Sequence, residues 1–138
     1  MKRDKLDAVF SKLIRERVDW TCEKCGKYYP EGHRQGIHCS HFFGRRSRGT
    51  RWHPDNCFAH CYSCHSYLGG HPYEFSHWAE HKLGEGLVQI LRERAHSVRK
   101  YGKLDLEDMF VHYKGELARL EHLRQSGVAG RIEVKSFD

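Results

Sequence analysis

Residues 22–65 read CEKCGKYYPEGHRQGIHCSHFFGRRSRGTRWHPDNCFAHCYSCH. Two CxxC pairs bracket the stretch, Cys22 with Cys25 and Cys61 with Cys64, and 35 residues separate them. Each pair can grip a tetrahedral zinc from one side. A four-thiolate site leaves no position for water or substrate, so the expected Zn²⁺ is structural. Six cysteines would also suit three disulfides in a secreted mini-protein. Against that, the first residues, MKRDKLDAVFSKLIRERVDW, interrupt every apolar run with charge, so no secretory signal is expected and the chain is placed in the reducing cytoplasm. Cys39 and Cys57 are left over and read as small buried hydrophobes.

Outward from this stretch, the sequence changes character on both sides. From Trp20 to about Gly70 the apolar period is lost, and only YY at 28–29 and FF at 42–43 offer short strand candidates. Before it, Leu6, Val9, Phe10, Leu13, Ile14 and Val18 recur at helical spacing over 4–18. Beyond Pro72 the helical pattern returns over 73–83, 87–98 and 105–124, broken at Gly84, Gly86 and Gly102. The expected organisation is one small α+β domain: an N-terminal amphipathic helix (1–19), a zinc-stapled core (20–71), a C-terminal helical region (72–125) and a flexible tail (126–138). With 138 residues the chain is too short for two ordinary domains.

Charge narrows the function. Residues 1–71 hold 13 Lys and Arg against 7 Asp and Glu, whereas residues 72–138 hold 11 of each, so the net +6 lies in the half that carries every cysteine. A basic, metal-rich half is expected to meet a polyanion. The run GRRSRGTR supplies Arg45, Arg46, Arg48 and Arg51 as candidate phosphate contacts, which give affinity without reading sequence. Mean hydropathy is −0.79 and no membrane span is expected.

Threaded through the cysteines is an ordered set of polar residues: His41 at the end of IHCSH, Asn56 in WHPDN and His65 directly after Cys64. In order and spacing, residues 22–65 resemble the HNH endonuclease superfamily, whose ββα-metal core is often clamped by a zinc between two CxxC elements. That resemblance implies His41 as general base, Asn56 as the residue orienting the base-bearing loop, and His65 as a ligand of a catalytic divalent metal. Such an enzyme hydrolyses phosphodiesters, with the metal offsetting charge while a neutral imidazole takes the proton from water.

The spacing His38-x-x-His41, with RWHPDNCFAHC and LGGHPYEF, resembles more narrowly the phage recombination nucleases of the NinG (Rap) family, over roughly residues 10–124. The implied function is cleavage of branched or flapped DNA by a phage protein in the host cytoplasm, with other recombination proteins as partners. His38, His65 and His71 are the implied ligands of the second metal, at positions where that family more often has Asp, Asn and Asn. Three imidazoles favour Mn²⁺ over Mg²⁺ and tolerate Ni²⁺, Co²⁺ or Zn²⁺. Mn²⁺ is therefore expected to support cleavage at least as well as Mg²⁺, and a metal titration in which Mg²⁺ alone works would overturn this. Two other readings stay open: a generic HNH nicking or homing-type endonuclease, and an inactive zinc-ribbon DNA-binding module. His33, His53 and His60 read as solvated or backbone-bonded, and His77 with His81 as a polar helix face. The apolar stripe on 105–124 is core or, alternatively, the face of a homodimer.

Overall fold

The computed structural model describes residues 2–138 and is a mixed α+β fold. Helix α1 (Lys5–Arg17) starts on a reciprocal cap: Asp4 accepts from the Asp7 N–H at 2.8 Å and Asp7 accepts from the Asp4 N–H at 3.0 Å. Arg15 and Arg17 sit in its last turn, where cations oppose the helix dipole. The long helix α6 (Lys103–Gln125) lies against it. Leu6, Phe10, Leu13 and Ile14 meet Met109, Tyr113, Leu117 and Leu120, with Phe10 edge-on to Tyr113 at 4.9 Å. Burial of each such side chain contributes about 1.5–3 kcal/mol. The apolar stripe of 105–124 is therefore covered by α1, within one chain.

Packed on α1 is a two-stranded antiparallel sheet, β1 (Ile37–His41) and β2 (Cys57–Cys61), in register from Ile37 opposite Cys61 to His41 opposite Cys57. The strands are thus IHCSH and CFAHC, where the sequence pointed to YY and FF. Tyr28 makes only an isolated bridge to Thr21, and Phe42 packs on the cluster of Phe58, Leu68, Phe75 and Ala79. The pairing is regular, so alternate side chains take opposite faces. Cys39 joins the core beneath α1 together with Cys57, and Ser40 turns to α3 (Tyr62–Gly70). The short helix α2 (Arg48–Arg51) and a 3₁₀ turn at Pro54–Asn56 lie in the β1–β2 connection, and α4 (Pro72–Leu83) and α5 (Glu85–His96) follow α3.

Asp7 ties α1 to that connection. Its carboxylate is 6% exposed and accepts from Arg51 Nε at 2.9 Å, Arg51 Nη2, Trp52 Nε1 at 3.1 Å and Arg45 Nη2 at 3.1 Å. Burial alone would raise its pKa, but the hydrogen bonds and charge of Arg51 and the Asp4 amide outweigh it, holding the carboxyl well below the usual carboxylate range. Asp7→Asn is expected to cost about 3–5 kcal/mol, since it leaves Arg51 buried without its counter-charge. A denaturant midpoint within error of wild type would contradict this.

The tail departs from the expected flexible segment. Ile132 is buried, its N–H donates to Arg17 O at 2.9 Å, and the Lys135 N–H donates to Glu116 Oε1 at 2.7 Å. The Asp138 carboxylate then accepts from Arg94, Arg99 and Tyr101. Residues beyond α6 run back over the core because these remote partners satisfy their main chain and charge. Among the described residues no helix is long and apolar enough to cross a membrane.

Candidate metal centre and adjoining cleft

The four paired cysteines converge as their spacing implies. Cys22 and Cys25 lie on a turn after α1, closed by Gly26 at φ +78°, whose N–H donates to Cys22 O at 3.0 Å. The Cys25 N–H points at Cys22 Sγ from 3.5 Å. Cys61 ends β2 and caps α3, and Cys64 lies in the first helical turn, where the dipole favours negative charge. All four sulfurs lie within 4.8 Å of one another, and Cys25 Sγ is 3.7 Å from Cys61 Sγ. Sulfurs on a tetrahedral zinc at about 2.3 Å stand about 3.8 Å apart, so the set fits that ion. Burial, then hydrogen bonding to Cys61 and the charge and hydrogen bonds of the other two sulfurs, pushes the Cys64 thiol up. Four thiolates so close need a cation among them. The chain is sewn to β2 here too: Glu23 donates its N–H to Ala59 O at 2.8 Å and accepts the Ala59 N–H at 2.7 Å.

Beside this centre, a cleft of about 230 Å³ opens between α1 and the free edge of β1. Arg3, Arg15 and Arg45 line it with His38, His41 and His65. His41 Nε2 lies 3.0 Å from Arg51 O. A carbonyl only accepts, so Nε2 carries the proton and Nδ1 keeps its lone pair. Burial pushes this imidazole down to about 4, against the opposing pull of the Arg51 carbonyl, and the charges of Arg45 and Arg51 add to the lowering. His41 is therefore neutral at neutral pH.

Asn56, fully buried, holds the connection in which Arg51 sits. Its Oδ1 accepts from the Phe43 N–H at 2.8 Å, and its Nδ2 donates to Phe43 O at 2.9 Å and Thr50 O at 3.1 Å. No family model, curated protein or solved structure matches this chain. What the site can do therefore follows from its own geometry.

On the α3 side of the sheet, Ser40 Oγ lies 2.6 Å from His65 Nδ1 and 2.8 Å from His60 Nδ1. One hydroxyl has one proton, so at least one imidazole donates to Ser40. With His65 donating and His60 receiving, the His65 Nε2 lone pair is free, and the His60 Nε2–H is left among the rings of Phe58, Phe75 and Trp78. The His38 ring stacks on His65 at 5.3 Å, and its Nε2 is a buried polar atom without a hydrogen-bond partner.

The remaining expected site residues separate. His71, at the α3–α4 junction, bonds Tyr67 O through Nδ1 at 2.7 Å, stacks on the Tyr67 ring and lines neither cleft that His65 lines. Of the arginines, Arg46 and Arg48 are exposed, Arg45 borders the cleft, and Arg51 turns inward to Asp7, 6% exposed. Arg51 thus ties the β1–β2 connection to α1 through a buried ion pair. Ser40, Asp7 and His60 carry roles that their neighbours in sequence do not announce. His60 in particular is fully buried in β2 instead of lying solvated in a loop.

Proposed function

We propose that this chain is a metal-dependent DNA endonuclease of the HNH type, with a zinc-stapled ββα-metal core and His41 as general base. The observation that carries this reading is the neutral His41, held at Nε2 by the Arg51 carbonyl so that Nδ1 keeps a lone pair, on a residue that lines a cleft with three arginines. Arg3, Arg15 and Arg45 are placed to bind a phosphodiester there. Nδ1 of His41 accepts the proton of the attacking water, and Arg51, Asp7 and Asn56 fix the carbonyl that orients it. The imidazoles of His38 and His65, one with an orphaned nitrogen, fit a divalent ion of Mn²⁺ type. When bound, that ion supplies charge to stabilise the pentacovalent transition state and the leaving oxygen. The products are a 5′-phosphate and a 3′-hydroxyl. The resemblance to phage recombination nucleases points to branched or flapped DNA in a host cytoplasm, and the exposed Arg46 and Arg48, on the same β1–β2 connection as Arg45, suit phosphate contacts on such a substrate.

The test is a cleavage panel of single-stranded, duplex, flap and four-way DNA with Mn²⁺, Mg²⁺ or EDTA. Cleavage of the branched substrates first is expected. Equal cutting of linear duplex would indicate a generic nickase, and binding with no cleavage in any ion would indicate an inactive zinc-ribbon module.

Burial of His41 moves the expected acid limb. An unperturbed imidazole, with pKa roughly 6.5, would be only about one tenth neutral at pH 5.5, so the rate would climb towards neutrality. With the pKa lowered to about 4 the base form is already dominant at pH 5.5. Single-turnover cleavage at pH 5.5 is therefore expected to keep most of its pH 7.5 rate. A tenfold loss over that interval would show that burial does not lower the pKa of the proton acceptor.

A further inference from the structure

A second group of soft ligands lies on the face of the sheet opposite His38 and Ser40. Cys39 Sγ, Cys57 Sγ and a ring nitrogen of His41 all lie within 4.8 Å of one another. The register explains this, because Cys39 and His41 are two apart on β1 and Cys57 stands opposite His41 on β2. We propose that Cys39, His41 and Cys57 form a binding site for a soft divalent ion of the Zn²⁺ class, distinct from both the four-cysteine centre and the His38/His65 pair.

Two thiolates and one imidazole are a donor set that zinc, cobalt or cadmium takes and magnesium does not. On a tetrahedral ion the sulfurs would stand about 3.8 Å apart and each sulfur about 3.5 Å from the nitrogen, so ligand atoms within 4.8 Å of one another need to close by about 1.3 Å at most. Cys57 is fully buried, while Cys39 and His41 line the cleft, which gives an ion an entry path and leaves a fourth position facing water. Bound as thiolates, the two sulfurs neutralise a divalent ion, which has to displace the proton of Cys57, a thiol that burial and the neighbouring Cys39 push up.

Occupancy has a consequence that rests on the nuclease reading. An ion on His41 takes the lone pair that would accept the proton, so zinc bound here switches cleavage off while the structural zinc stays in place.

The experiment adds Co²⁺ stepwise to the zinc-loaded full chain under reducing conditions, with zinc content measured before and after so that exchange at the four-cysteine centre is counted separately. A thiolate-to-cobalt charge-transfer band saturating at one added equivalent is expected. The band is expected to be lost in Cys39→Ser and in His41→Ala, two variants that alter the set from different side chains, with folding checked by circular dichroism. No band in wild type, or an undiminished band in either folded variant, would overturn the site. So would a Cys39–Cys57 disulfide detected by mass in the reduced protein. In cleavage assays with Mn²⁺, micromolar Zn²⁺ is expected to inhibit wild type and not Cys39→Ser, each measured against its own uninhibited rate. Absence of cleavage in every ion would sink the nuclease reading alone, since the cobalt band decides the site without it.

Discussion

Stripping zinc from Cys22, Cys25, Cys61 and Cys64 is expected to abolish the cooperative thermal transition of this protein. Structural zinc contributes on the order of 10 kcal/mol to folding, comparable with the whole stability of a domain, about 5–15 kcal/mol. The interior around the centre is thin: Trp20, Cys22, Ile37, Ala59 and Cys61 are its buried residues, and two of the five are ligands. Without the ion, the four thiols lose the charge that holds them together, and β2 loses the Glu23 contacts on its outer edge. Trp20 is a ready reporter, because its Nε1–H donates to Glu16 at 2.9 Å and its ring is buried beside the centre. A strong chelator should therefore red-shift the tryptophan emission and flatten the near-ultraviolet circular dichroism, with readded Zn²⁺ restoring both. Cys22→Ser and Cys64→Ser should behave as the chelated protein. An unchanged melting temperature after demonstrated zinc loss would refute a structural role.

His41→Ala is expected to lower single-turnover cleavage by about 10²–10⁴-fold, the usual contribution of a positioned general base and equivalent to roughly 3–5 kcal/mol in the barrier. Binding to DNA should change little, because phosphate contact falls to the arginines. Folding should survive as well, since the side chain is only partly buried and makes a single hydrogen bond. Added imidazole should restore part of the rate if the proton acceptor is all that is missing. Undiminished cleavage by a folded, DNA-binding His41→Ala protein would end the assignment of this residue as the base.

The parts of this molecule that a sequence displays are those with short-range signatures. Cysteine spacing announced the metal centre, and the 3.6-residue period announced α1 and the C-terminal helices. The strands were hidden because neither face of the sheet is uniformly apolar: His38 and Ser40 line one side and Cys39 and His41 the other, so no alternation marks them. Arg51 reads like its neighbours in GRRSRGTR, and only a carboxylate 44 residues earlier, Asp7, distinguishes it. Ser40 stands directly before the proposed base, yet its hydroxyl acts on His60 and His65, an arrangement that exists only once α3 packs on the sheet. The tail was illegible for the same reason, since Arg17, Tyr113 and Glu116 satisfy it from far along the chain.

The group that fixes the His41 tautomer is a main-chain carbonyl, and this shapes how the protein can vary. No replacement of the side chain at position 51 deletes that acceptor, so heredity can loosen it only by shifting the loop. A saturation scan should therefore spread its sensitivity over positions 7, 51 and 56, whose side chains hold the loop in place. Asp7 and Asn56 would look in such a scan like catalytic residues, although what they transmit is the placement of an oxygen that every amino acid carries.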